Sequence, residues 1–226
     1  MVSRISKGYE DRFRDLLLRV NARRSQQGIH WMLAKAKRVS EQEGISFNES
    51  LEKLYQAVSS RGYFCRPNQD PLLRFFCDSG LGGLARWLRA AGYETWWKAQ
   101  IQDEELLRQA RQNGSILLTT DSMLMERRLV RERTIHAFWL PPTLKLENQV
   151  EVVFREFQLR IREPRCMVCG GELVTSDKEK LRERIPPRTY RWLDEYFVCG
   201  RCGKVFWRGT HWERILRQLQ RVQSKS

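Results

Sequence analysis

The sequence predicts an α/β domain with a mostly parallel sheet, preceded by a helical extension and followed by a small cysteine-rich module. Three observations predict it. Over residues 71–161, short apolar runs alternate with amphipathic stretches, the pattern of parallel strands joined by crossover helices. Over residues 1–70, apolar residues recur at helical spacing instead. Over residues 162–226, two CxxC pairs stand in a Gly-rich context. The chain has 226 residues, 41% of them hydrophobic, with 8 Trp and 10 Phe, which excludes global disorder. It lacks the run of about 18 apolar residues that a membrane helix needs. Its first residues, MVSRISKGYEDRF, lack the apolar stretch of a signal peptide, so the expected location is cytoplasmic, with no membrane partner.

The elements follow in order. Phe13, Leu16, Leu17 and Val20 mark a first helix. Trp31, Met32, Ala34 and Val39 line a second, stopped near Gly44. Ser46 and Glu49 form a capping-box pattern ahead of Leu51, Leu54, Tyr55 and Val58. The turn Gly44-Ile45-Ser46-Phe47 is similar to that of ribbon-helix-helix DNA binders, but no suitable strand precedes it; a helical accessory or partner-docking module is the reading adopted. Arg66 to Pro71 reads as a linker.

Leu72 to Cys77 is an apolar strand ending at Asp78, and Gly80, Gly82 and Gly83 make a tight turn. A helix follows, burying Leu84, Ala85, Trp87, Leu88 and Ala91, with Gly92 as its stop. Tyr93 to Trp97 is a second strand, and a helix runs from Asp103 to Gly114. Ser115 to Thr119 is a third strand, ending at Asp121. A helix over about 122–131 and a strand over 134–140 complete the alternation, and a helix over about 144–160 closes it. Thr210 and Glu213 form a second capping-box pattern, opening a C-terminal helix.

The formal net charge is +14, distributed as +5 over residues 1–70, +2 over 71–160 and +7 over 161–226. Such an excess points to a polyanionic partner, nucleic acid first. The nearly balanced middle segment suggests that its acidic residues have a specific task.

Cys166-Met-Val-Cys169-Gly and Cys199-Gly-Arg-Cys202-Gly are paired knuckles 29 residues apart. Two such turns aim four thiolates at one point, the arrangement of structural zinc. The spacer exceeds the usual ~15–20 residues, so the ribbon carries an insertion. Cys77 reads as packing, and Cys65 has no partner pattern.

Ligands of open α/β sheets bind beyond the carboxyl ends of the strands. Asp78 and Asp121 each follow a strand directly, and Asp103, with Glu104 and Glu105 beside it, starts a helix beyond the second strand. Carboxylates gathered at one edge need a cation between them, and oxygen-only ligands select Mg²⁺ or Mn²⁺. The competing role for each Asp is that of a helix N-cap.

Phe76 to Thr95, with its Asp78-Ser-Gly-Leu-Gly-Gly-Leu-Ala-Arg-Trp core, resembles the opening motif of the Mut-seven C-terminal ribonuclease family. Leu117-Leu-Thr-Thr-Asp121 is similar to its second motif. The zinc ribbon, with Arg184-Ile-Pro-Pro187 and Lys204-Val-Phe-Trp-Arg-Gly-Thr-His-Trp212, is similar to its tail. The resemblance covers about residues 72–220. It implies a PIN-like three-layer fold with acidic metal ligands, Asp78, Asp103 and Asp121 falling on the acidic positions. Glu94 and Thr120 depart from the pattern, where an Asp and a basic residue are usual.

Arg86 and Arg89, three apart on one helix, are expected to clamp phosphates. Of Trp96 and Trp97, adjacent in a strand, one is free to face outward. Lys204, Arg208, His211 and Trp212 combine charge and aromatic surface on the ribbon, as in single-strand binders. The expectation is a metal-dependent endoribonuclease acting on structured or single-stranded RNA, with tRNA and ribosomal RNA as the first substrates to consider, leaving a 5′-phosphate and a 3′-hydroxyl. The alternative is an RNA- or ribosome-binding module with little turnover.

Overall fold

The computed structural model describes residues 4–20, 22–60 and 73–225. Cys65, Leu72 and the expected linker lie outside the described residues. The elements run α1 (Arg4–Arg19), α2 (Ser25–Glu43), α3 (Phe47–Ser59), β1 (Arg74–Cys77), α4 (Gly82–Ala90), β2 (Glu94–Trp97), α5 (Asp103–Gln112) and β3 (Ile116–Thr119). They continue through α6 (Arg128–Arg131), β4 (Ala137–Trp139), α7 (Leu146–Phe157), β5 (Leu173–Ser176), α8 (Pro187–Trp192), β6 (Tyr196–Cys199), β7 (Val205–Trp207) and α9 (Thr210–Lys225).

Strands β1 to β4 form one parallel sheet in the order β2-β1-β3-β4. Successive side chains of a strand point to opposite faces, and this alternation builds the layers. Phe75, Cys77, Leu118 and Phe138 share a buried cluster with Leu84 and Leu88 of α4 and Val153 and Phe154 of α7. Phe76 and Leu117 face the other way, onto Leu106, Leu107 and Ala110 of α5. Helices therefore cover both faces of the sheet, the three-layer arrangement the alternation predicts.

The expected helix over 122–131 is broken. A 3₁₀ turn (Leu124–Glu126) and the single turn α6 are separated by Arg127 in extended conformation. Ahead of the 3₁₀ turn, the Asp121 carboxylate accepts a hydrogen bond from the Met123 N–H.

Helices α1 to α3 are not a detached module. Tyr9, Phe13, Leu16, Ile29, Met32 and Leu51 enclose Trp139 of the edge strand β4. A Cβ on Gly8 would stand 2.4 Å from the Trp139 ring, so glycine there lets helix and indole touch. Arg12 Nε donates to the Trp139 carbonyl at 2.9 Å, and its guanidinium lies 4.6 Å from both the Tyr55 and the Phe138 rings. On α7, buried Glu156 accepts from the Tyr55 hydroxyl and pairs with Arg19. The bundle thus covers an exposed sheet edge. The capping box at Ser46 and Glu49 forms in both directions. The buried face of α2 is Ile29, Met32 and Ala36, whereas Trp31 is 53% exposed and carries Lys35 over its ring. The described residues before β1 hold three helices and no strand.

The ribbon is a three-stranded antiparallel sheet, β5-β6-β7. Its long spacer folds into a 3₁₀ turn (Glu179–Arg184) and α8, packed on a small core of Leu181, Ile185 and Tyr196. Helix α9 then returns to the α/β domain, where Leu219 and Val222 join the core beneath α4 and α7. It begins at Thr210, whose place is inside the first turn, and the Glu213 N–H bonds the Gly209 carbonyl.

Candidate functional site

Strands β1 and β3 are neighbours, so their carboxyl ends deliver Asp78 and Asp121 to one edge. Asp78 is 7% exposed, and both oxygens of its carboxylate accept hydrogen bonds. One oxygen accepts from the Gly80 N–H at 3.0 Å; the other accepts from the Thr119 hydroxyl at 2.6 Å and the Thr120 N–H at 2.8 Å. The Thr119 hydroxyl in turn accepts from the Asp121 N–H at 2.9 Å, which ties the two aspartates through one side chain. Asp121 is exposed and its carboxylate accepts from the Met123 N–H at 2.8 Å. Both residues therefore perform the turn-capping role and stand at the ligand-binding edge as well.

Asp103 does not join them. It opens α5, half-exposed, with its carboxylate 3.4 Å from the Arg127 guanidinium. Glu105 is taken up by Arg108 and Gln109, and Glu104 is exposed. Among the described residues, the one group of three or more His, Cys, Asp or Glu whose ligand atoms converge is the four cysteines. The expected cage of Asp78, Asp103 and Asp121 is thus not formed. Helix α5, which Asp103 opens, packs on β1 and β3, and the Asp103 carboxylate is turned to the Arg127 guanidinium rather than to the other two. Glu94, one departure from the family pattern, points elsewhere, to Arg74 at 3.4 Å and Arg201 at 4.0 Å.

The cysteines do converge. Their four Sγ atoms lie within 4.8 Å of one another, with Cys166 and Cys202 3.7 Å apart and Cys169 and Cys199 3.4 Å apart. Four sulfurs at about 2.3 Å from a tetrahedral zinc are separated by comparable distances. The set fits such an ion and leaves no open position. Gly170 and Gly203, each following a second cysteine, have φ of 76° and 70°, the left-handed turns that bring the knuckles round. A Cβ on Gly171 would reach 2.8 Å from Cys199 Sγ.

Arg89 corrects its assignment as a phosphate clamp. It is 3% exposed. Its Nε donates to the Thr95 carbonyl at 2.9 Å, and one Nη donates to the Met167 and Val168 carbonyls at 3.2 and 2.9 Å. It joins α4 and edge strand β2 to the first cysteine knuckle. The helical spacing placed Arg86 and Arg89 together, yet only Arg86 reaches solvent.

Arg86, Lys204, His211 and Trp212 do come together. They line a cleft of about 910 Å³ between α4, β7 and α9. Arg208 does not line it; its guanidinium turns to Glu195 at 3.2 Å and lies over the Phe197 ring. Trp97 lines it too, as the outward member of the Trp96–Trp97 pair, together with Trp207 and Arg214, which the sequence did not single out as contacts. The spacing of His211, Arg214 and Gln218 on one face of α9 was the available signal. Trp96 packs beside Phe76, whereas Trp97 faces out, with its indole N–H on the Ser79 carbonyl at 3.0 Å.

No helix among the described residues is long and apolar enough to cross a membrane. No curated protein and no solved structure matches the chain. The family of the Mut7-C RNAse domain matches residues 73–219, from the first residue before β1 to Leu219 in the core-facing part of α9. The match takes in the aspartate edge, the four cysteines and the cleft, and leaves α1 to α3 outside: the chain belongs to the family of the Mut7-C RNAse domain.

Proposed function

We propose that this protein is an endoribonuclease whose phosphodiester cleavage takes place at the β1–β3 edge, beside Asp78 and Asp121, with a requirement for Mg²⁺ or Mn²⁺. The observation that carries the site is the tie between the two aspartates through Thr119 in a chain of a ribonuclease family. Asp78 is preset by its three donors, and Asp121 is open to a substrate. The donors at this edge are oxygens, the chemistry of a hard cation, although the three-carboxylate cage does not fit because Asp103 faces Arg127. Asp78 and Asp121 are the residues that would hold the ion, which would supply charge neutralisation at the phosphate. Arg86 and Lys204 would hold phosphates of the strand. Transfer RNA and ribosomal RNA, in a cytoplasmic setting, are the first substrates in this reading.

The Asp103–Arg127 pairing favours a second reading, a protein that binds RNA or ribosomes and turns over little. One experiment separates the two. Labelled RNA is incubated with the wild-type chain in Mn²⁺, in Mg²⁺ and without added divalent ion, beside Asp78→Asn and Asp121→Asn. The enzyme reading expects products with 5′-phosphate ends, formed only with the added ion, and at least a hundredfold loss in either variant. Equal residual cleavage in wild type and variants would overturn the enzyme reading, and retained RNA binding by the uncleaving chain would support the second.

A further inference from the structure

We infer that the cleft between α4, β7 and α9 receives the bases of an unpaired RNA strand, so that the protein selects single-stranded RNA over duplex. The identity of the polymer rests on the ribonuclease reading; the selection rests on the walls of the cleft.

Those walls combine two chemistries. Trp87, Trp97, Trp207 and Trp212 all line the cleft, half of the 8 tryptophans in the chain, with Phe206 among them. Among the described residues, every charged side chain in the lining is basic, Arg86, Lys204 and Arg214 beside the already bonded Arg89, and none is a carboxylate. A cationic ligand or a metal is therefore disfavoured, and a polyanion is favoured. Basic residues alone would serve any phosphate backbone, duplex included. Aromatic walls add stacking surface, which only a base freed from its own stack can use. Bases within an A-form duplex are already stacked, and duplex is held by shape and by phosphate and 2′-hydroxyl contacts, for which tryptophan walls are idle.

The platforms are fixed before any ligand arrives. Trp212 lies flat on Phe197, ring centroids 5.8 Å apart and planes 11° from parallel. Trp97 is held by its N–H on the Ser79 carbonyl, and its ring lies so close to α4 that a Cβ on Gly82 would meet it at 2.7 Å. Ser79 follows Asp78 directly. The cleft therefore abuts the turn that carries the buried carboxylate, and a strand anchored in it runs on toward the β1–β3 edge. At about 910 Å³ the cleft is near the upper end of the ~300–1,000 Å³ that single small ligands fill, as suits a polymer segment.

The test uses the full-length chain with its metal retained and Asp121→Asn to prevent cleavage. Fluorescence anisotropy measures binding of a labelled oligouridylate of about 12 nucleotides and of a duplex of equal length, within the usual range of site sizes. The single strand is expected to bind at least tenfold more tightly. Trp97→Ala and Trp212→Ala should each weaken it about tenfold while leaving duplex affinity unchanged. Lys204→Ala and Arg86→Ala, on exposed side chains, should weaken it and flatten its salt dependence by about 0.7 in log–log slope each. Equal or tighter duplex binding overturns the inference, as does oligouridylate affinity indifferent to Trp97 and Trp212. Cleft-dependent binding of single strand by a wild-type chain that never cleaves would retire the nuclease reading and leave this one standing. Cleavage with cleft-independent binding would do the reverse.

Discussion

Arg89 is a charged side chain sunk between two structural units, and its three carbonyl partners account for its burial. Buried charge persists only when its donors are satisfied, and here Nε and one Nη reach Thr95, Met167 and Val168. Removing it strands those carbonyls. Arg89→Ala is therefore expected to cost about 2–4 kcal/mol in denaturant unfolding and to raise hydrogen exchange in the first cysteine knuckle. Gly92 has a related duty. The sequence marks it as a helix stop, and its φ of 93° agrees. Yet a Cβ there would also stand 2.6 Å from both Arg162 Cβ and the Glu163 carbonyl, so the glycine makes room for the chain leaving α7. Gly92→Ala should lose about 1–3 kcal/mol, read as a lowered unfolding midpoint. Residue by residue, what was legible was the type of chemistry, not always its address. Arg86 and Arg89 look alike three apart on a helix. Only the position of the cysteine knuckle, a contact distant in sequence, decides that one is solvent-facing and the other a rivet.

At the scale of elements, the docking of α1 on β4 sets the geometry of the aspartate edge. Arg12 Nε holds the Trp139 carbonyl, the Trp139 indole N–H holds the Thr120 carbonyl at 3.1 Å, and the Thr120 N–H holds Asp78. Gly8 sits against the same indole. Gly8→Val should force the helix away, destabilise the chain by about 1–3 kcal/mol and loosen protection in α1. Through Thr120 it should also lower any cleavage more than it lowers RNA binding. Strands β1 and β3 were readable because each is a short apolar run closed by an Asp within two residues, Asp78 and Asp121. The four-strand parallel order was implied by the alternation. The role of α1 to α3 was not readable, because nothing local in Gly8 or Arg12 announces a tryptophan 127 residues beyond Arg12. The face of α2 was misjudged for a similar reason: Trp31 is apolar in type, but the groove it would fill is taken by Ile29, Met32 and Ala36. Asp103 marks the same limit at the site: its place in the first turn of α5 is local, and its pairing with Arg127, 24 residues on, is not.

At the scale of the whole molecule, the cleft is built on the segment that carries the four-cysteine cluster. Two knuckles, spaced CxxC, were sufficient to foresee the four-sulfur cluster, because each turn fixes its own pair locally. Strand β7 and the start of α9 follow Cys202 directly and form one side of the cleft. Structural zinc of this kind contributes on the order of 10–16 kcal/mol in small peptides, and the ribbon's own core is a small cluster. The purified chain is expected to hold one zinc, measured by native mass spectrometry. Cys199→Ser, or a strong chelator, should release it, disorder the ribbon and abolish binding of single-stranded RNA while α1 to α3 keep their helical signal.

The indole of Trp139, roofed by α1 to α3, bears on how the molecule can be divided. A fragment trimmed to the boundaries of the family match, 73–219, would shed that roof and leave a large aromatic flank of the sheet facing water. Such a piece should clump or need a detergent, whereas the same trimming at the far end removes little beyond Val222. The portion outside the family therefore shields from water an aromatic surface of the portion within it.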